Sequence, residues 1–249
     1  MAKEKTDWQE VNAIIIASVT LGLVFGFDDG AEVFMVTAWA LNFVQQVMIS
    51  FLFLLLFVRI TKSYSKRAGV TTKFSIWGLK RYGWRPSAYF KGNGIPIGVI
   101  LPLFISIMSY GKVLFSAVLS PKFSHTKASR SGHKFEQPKE SELASTSMVA
   151  PVTLTLIAIF LSALPENSLK NLIVIPFSIA FVGMLPIPGL NGATAFFGSP
   201  VRYLLVMVFI ITTYFLVQVT TPLQAIMLGL ISGIVLTSFN YIYVYIIGK

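Results

Sequence analysis

The chain has 249 residues, of which 55% are hydrophobic, only 12% are charged and none is cysteine. Soluble domains carry about 25% charged residues, so this composition excludes an ordinary globular enzyme, a disordered protein and a disulfide scaffold. The 20 Lys and Arg residues against 10 Asp and Glu give a net charge of +10. In a membrane protein such an excess indicates orientation in the bilayer.

Six long stretches contain no Asp, Glu, Lys or Arg, namely 11–27, 33–58, 92–111, 143–165, 171–201 and 203–248. A transmembrane helix needs about 20 apolar residues, so most of these stretches are long enough to cross a membrane. The last one is divided at Pro222, because the residue before a proline is disfavoured in helical geometry. We therefore predict an all-α polytopic membrane protein with six or seven transmembrane segments in a single membrane domain, 1–249.

Helices are predicted in chain order at about 11–27, 33–58, 143–164, 172–185, 202–217 and 223–247. The apolar segment 95–110 contains two prolines and either crosses the bilayer or dips into it and returns. Residues 70–77 predict a short strand at the membrane edge. The polar residues 112–142 predict a mobile loop.

A basic region covers residues 59–91, with nine Lys or Arg residues and no acidic one. Loops of this kind stay in the cytoplasm, which also places the N-terminus there and makes the chain a multi-pass protein of the cell membrane. Contact with anionic lipids is worth about 1 kcal/mol per basic residue. No nucleic-acid motif accompanies the charge, so we expect no nucleic-acid partner. The residues assigned to orientation and lipid contact are Arg59, Lys62, Lys66, Arg67, Lys80, Arg81 and Arg85.

The sequence lacks the side chains that metal or nucleophilic chemistry in a membrane requires. His125 and His133 are the two histidines, and both fall in the predicted loop 112–142. No Asp, Glu, Lys, Arg or His lies in the uncharged stretches, which argues against a proton-coupled transporter. We predict no metal and no cofactor.

Residues 185–192 (LPIPGLNG) cannot form a regular helix, because they contain two prolines and two glycines. This segment resembles the L-P-x-P-x-L-D-G motif of the site-2 protease family, the intramembrane zinc metalloproteases, and most of all its compact archaeal and bacterial members. Residues 57–77 resemble that family's H-E-x-x-H helix with the basic stretch, glycine and strand that follow it. Residues 149–154 (VAPVTL) resemble its A-G-P-x-x-N motif. The resemblance covers most of residues 35–220.

The resemblance implies a site-2-protease-like fold, but the catalytic positions have changed. It puts the two zinc histidines at Phe57 and Thr61 and the general-base glutamate at Val58. It puts the third zinc ligand at Asn191. The two remaining family asparagines fall on Leu154 and Gly183. Zinc activates water in such enzymes, and these side chains cannot hold it, so we predict a pseudoprotease that is not an enzyme.

Our leading interpretation is therefore a catalytically inactive metallopeptidase homologue that acts as a scaffold, chaperone or complex subunit binding membrane-protein segments. An edge strand can pair with a client without any metal. The predicted client-binding residues are Val70, Thr72, Phe74 and Ile76 on the strand, and Pro186, Pro188, Gly189 and Gly192 on the unwound segment.

Two side-chain patterns bear on helix packing. Asn42, Gln45 and Gln46 share one face of a predicted helix, for hydrogen bonding within the chain or to a client helix. Gly229 and Gly233 permit close approach of another helix, of this chain or of a partner.

Two alternatives stay open. The first is a small channel or transporter with a broken helix at 186–192. The second is an active intramembrane metalloprotease with unrecognised ligands, which would have to use His125 and His133.

Overall fold

The computed structural model describes residues 8–28, 35–79, 94–125, 139–164 and 170–242. These residues are mostly helical and form eight helices and two strands. In chain order the elements are α1 (Trp8–Phe25), α2 (Val36–Arg67), β1 (Val70–Ile76), α3 (Ile97–Met108), β2 (Leu119–His125), α4 (Glu140–Ser162), α5 (Lys170–Gly183), α6 (Asn191–Gly198), α7 (Pro200–Leu216) and α8 (Pro222–Ile242).

Four of these helices, α1, α2, α4 and α8, are long and apolar enough to cross a membrane. The apolar helices α3 and α7 are shorter, with 12 and 17 residues. At about 1.5 Å per residue α3 spans about 18 Å, less than the ~30 Å hydrocarbon core. By length and composition the four long helices are compatible with a membrane protein, and the six or seven crossings stay a prediction.

Helix α2 is longer than the sequence predicted, because it continues through the first basic residues to Arg67. Lys and Arg are good helix formers, and Lys66 and Arg67 in the last turn interact favourably with the helix dipole. The helix is followed by Gly69, whose φ of +70° suits glycine. At about 1.5 Å per residue its 32 residues span about 48 Å, which is more than the ~30 Å hydrocarbon core of a bilayer.

The structure describes two parts of the predicted loop 112–142, namely 112–125 and 139–142, and both contain regular structure. Strand β2 occupies Leu119–His125, and α4 begins at Glu140. The strand was missed because its residues are mostly polar, and the pairing with β1 that stabilises it is not visible locally. At the start of α4, the Lys139 backbone N–H donates to Glu142 Oε2 at 3.3 Å, which caps the helix.

The two strands form an antiparallel two-stranded sheet. The Trp77 backbone N–H donates to the Val118 carbonyl at 2.8 Å. Toward the other end, the Thr71 and Ser124 hydroxyls each donate to the other residue's carbonyl, at 3.4 and 3.3 Å. Both contacts fit one register, in which Thr71 faces Ser124. The strand predicted at 70–77 is present at Val70–Ile76, and its location at the membrane edge stays a prediction.

The chain divides into two compact units, and the single membrane domain 1–249 stays a prediction. The first unit is Met1–Val58 with Thr72–Lys122, and the second is Arg59–Thr71 with Phe123–Lys249. In the first unit α1 packs against α3 and approaches α2 closely at Gly22, where a Cβ would overlap the Val47 side chain. In the second unit α4 packs against α5, α6 and α7, and α7 packs against α8.

The glycine pair of α8 packs within the chain. A Cβ at Gly229 would meet the side chains of Thr213 and Phe209, and one at Gly233 would lie 3.1 Å from the Leu205 carbonyl oxygen. All three neighbours belong to α7. The α7–α8 pair thus uses the close approach that small residues allow.

Candidate functional site

The chain unwinds between α5 and α6 and turns sharply at a proline and a glycine. The Leu190 backbone N–H donates to the Ile187 carbonyl at 3.0 Å across Pro188 and Gly189. Gly189 has a φ of +94°, as the third residue of a type II turn requires. The broken segment predicted at 186–192 is therefore unwound only through Leu190, and its last two residues begin α6.

The start of α6 lies directly against the end of α5. A Cβ at Gly192 would overlap the backbone carbonyls of Met184 and Leu185, so only glycine fits there. The Met184 carbonyl also accepts a buried hydrogen bond from Tyr203 Oη of α7 at 3.0 Å. These contacts hold the two ends of the unwound segment in place.

Asn191, the first residue of α6, is buried without hydrogen bonds to its side chain. It is 3% exposed, and neither Oδ1 nor Nδ2 has a partner among the described residues. Buried polar groups are normally paired, and an unpaired one costs about 1–3 kcal/mol. Asn191 therefore offers one unused acceptor and an unused donor beside the unwound segment.

Helix α4, in the same unit as Asn191, carries a second buried polar group that lacks a hydrogen-bond partner among the described residues. A Cβ at Gly198 of α6 would overlap the Glu140 carbonyl and lie 2.9 Å from Ala144 Cβ. Residues 140, 144, 147, 151 and 154 share one face of α4 by their helical spacing. Ser147 on this face is fully buried, and its Oγ has no partner within the part of the chain that is described.

The positions that the site-2 protease resemblance implied are mostly buried. Phe57 and Val58 lie in the first unit, where the Phe57 ring packs edge-on against Phe74 with centroids 6.0 Å apart. In the second unit Thr61 and Leu154 are fully buried, as Asn191 nearly is. Gly183, the last residue of α5, differs, because a Cβ there meets no atom within 4 Å.

On strand β1 the predicted client-binding side chains face inward. Val70, Thr72 and Phe74 are buried, and Ile76 is partly exposed. The Phe74 backbone N–H donates to Glu10 Oε1 at 3.0 Å. The sequence reasoning missed Glu10, although an acidic residue at the head of an otherwise uncharged apolar helix is itself a signal.

On the unwound segment the predicted residues Pro186, Pro188 and Gly189 are exposed, whereas Gly192 is buried. These four lie together in the second unit. Of the basic residues, Arg59, Lys66 and Arg67 are exposed on the last turns of α2, and Lys62 is partly exposed. The predicted lipid-contact residues Lys80, Arg81 and Arg85 lie outside the described residues, as does His133.

In the described part of the chain, no three His, Asp or Glu side chains come together in a way that could hold a metal ion. Comparisons of the chain with family models, with curated proteins and with solved structures found no match. The resemblance to site-2 proteases thus rests on the sequence motifs alone.

Proposed function

We propose that the chain is a multi-pass membrane protein that binds segments of other membrane proteins without cleaving them, as a scaffold, chaperone or complex subunit. The buried Asn191 amide, unpaired at both atoms, carries the proposal. A backbone peptide group has one acceptor and one donor, which the amide complements. An extended or unwound client segment would satisfy both atoms at once.

The surroundings of Asn191 favour such a client. The first backbone N–H groups of any α-helix have no partner within the helix, so the start of α6 adds donors beside the amide. Exposed backbone in a bilayer costs several kcal/mol per unpaired group. A transmembrane segment with a break in its helix would therefore be stabilised by contact with Asn191 and the N-terminal turn of α6.

The finer features of the proposal come from the sequence. We propose six or seven crossings, a site-2-protease-like arrangement, and an N-terminus and basic region 59–91 in the cytoplasm in contact with anionic lipids. Phe57 and Thr61 cannot ligate zinc and neutral Asn191 is a poor ligand for it, which supports binding without cleavage.

The test uses two synthetic transmembrane peptides of equal length in nanodiscs, a continuous apolar helix and one interrupted by a Gly-Pro pair. We expect the interrupted peptide to bind at least about tenfold more tightly, a difference of about 1.4 kcal/mol. Asn191→Leu, which keeps the branched shape of the side chain and removes both polar atoms, should abolish that preference. Equal binding of the two peptides, or an unchanged preference in Asn191→Leu, would contradict the proposal.

The matched control is Thr237→Val on α8, another site with a buried hydroxyl that lacks a partner among the described residues. It should leave peptide binding unchanged. Peptide fragments and bound zinc are measured in the same samples, and zinc-dependent cleavage would favour the metalloprotease alternative. Ion flux in proteoliposomes that Asn191→Leu abolishes would favour the channel.

A further inference from the structure

Two faces of α2 have different surroundings in the first unit. On one face, a Cβ at Gly26, the residue after α1, would lie 3.3 Å from Phe43 Cα and 3.4 Å from Gln46 Cγ, and Gly22 of α1 lies against Val47. This face is therefore covered by α1. The opposite face is exposed.

A set of residues on the exposed face recurs at the spacing that is typical of an interface between two helices. Its members are separated alternately by three and four residues, which is the a/d pattern of a heptad. Leu41, Met48 and Leu52 are 73%, 68% and 60% exposed. The seam, as we define it, consists of Ala38, Leu41, Gln45, Met48 and Leu52, all of them exposed.

Gln45 is the polar member of this seam. Its side chain is exposed, and no hydrogen-bond partner for it occurs within the described ranges. Gln46 is different, because its Nε2 donates to Asn42 Oδ1 at 3.0 Å. Gln45 lies nine residues after Val36, about 14 Å along the helix, and therefore within the depth of the hydrocarbon core. An amide that faces lipid tails loses the hydrogen bonds that water would provide.

We propose that α2 pairs along the seam with α2 of a second copy of this chain, and that the two Gln45 side chains hydrogen-bond to each other. Copies of a membrane protein share one orientation in the bilayer, so a twofold axis along the membrane normal makes the two helices parallel. The same residue then lies at the same depth in both copies.

Gln45 suits this partner in particular. An amide has both donor and acceptor atoms, so two of them satisfy each other across a twofold axis. A single polar residue at an a position is also the device that sets register and two-stranded association in parallel coiled coils. A second copy supplies the matching amide at the required depth without any further assumption about a partner.

The experiment uses the full chain in liposomes, with single cysteines introduced into a sequence that has none. Leu41→Cys on the seam should form a disulfide-linked homodimer under mild oxidation. Ala40→Cys, exposed on α2 but outside the seam, is the matched control and should form far less. Gln45→Leu should weaken dimerisation, measured by single-molecule photobleaching, by about tenfold, and Gln45→Asn should largely restore it.

Three results would overturn the inference. These are equal cross-linking at the two cysteine positions, a monomer at all protein densities in the membrane, and dimerisation that Gln45→Leu leaves unchanged. Circular dichroism of each variant confirms that the helices are intact.

Discussion

The Glu10 carboxylate accepts the backbone N–H of Phe74 at 3.0 Å, in a buried position that joins the first turn of α1 to strand β1. Backbone N–H groups alternate in direction along a strand. Because the Trp77 N–H donates to Val118, the residue before β2, the N–H of Phe74, three residues earlier, points to the opposite edge. Glu10 therefore occupies a hydrogen-bonding position that an added strand would need, which is why the proposed client contact is with Asn191 and the start of α6.

We expect Glu10→Ala to destabilise the protein, because it leaves the buried Phe74 N–H without its acceptor. The cost of such a group is about 1–3 kcal/mol. Glu10→Gln keeps an oxygen that can accept this bond and should lose less stability. Chemical denaturation in detergent micelles measures both, and hydrogen exchange at the Phe74 amide should accelerate in Glu10→Ala alone. Wild-type stability in Glu10→Ala would show that the bond does not contribute.

Replacement by alanine should affect stability differently at the two glycines that flank the unwound segment. Gly192→Ala places a methyl group against the Met184 and Leu185 carbonyls, and overpacking of this kind costs about 1–3 kcal/mol. Gly183→Ala meets open space and should be neutral or stabilise α5 by up to about 1 kcal/mol. Thermal unfolding of the two variants in one detergent checks the difference, and equal shifts in melting temperature would contradict it.

The sequence predicted the elements that depend on local composition. Apolar runs identified the helices other than the short α6, which was not predicted, and the strand-like residues after Gly69 identified β1. The prolines and glycines before Asn191 identified the unwound segment, because their effect on the backbone is local. Strand β2 was not predicted, since a polar strand with a proline is stabilised by its partner and not by its own residues.

The candidate site was only partly predictable for the same reason. Resemblance drew attention to Asn191, but its burial and its two unpaired atoms depend on how α6 packs against the end of α5. The bond from Phe74 to Glu10 joins residues 64 positions apart, and no periodic pattern predicts such a contact. Similarly, Asn42, Gln45 and Gln46 were predicted to act together on one face of α2. In the structure Gln46 is buried next to α1, whereas Gln45 is exposed.

Packing of α8 on α7 should depend on Gly229. Gly229→Val introduces a branched side chain where Thr213 and Phe209 already fill the space, so we expect a loss of about 1–3 kcal/mol. Leu230→Val, at the adjacent exposed position, is the control and should change stability by less than about 0.5 kcal/mol. Thermal unfolding in detergent measures both. A stable Gly229→Val variant would show that α7 and α8 tolerate a wider separation.

The orientation of the chain can be measured with the same cysteine-free background. Ser63→Cys lies on the exposed basic end of α2, and Asp28→Cys lies exposed after α1. Because basic segments are retained in the cytoplasm, a membrane-impermeant maleimide should label Asp28→Cys in intact cells. It should label Ser63→Cys only after the membrane is opened. The reverse labelling would place the basic region 59–91 outside, and labelling of both from one side would mean that α2 does not cross the membrane.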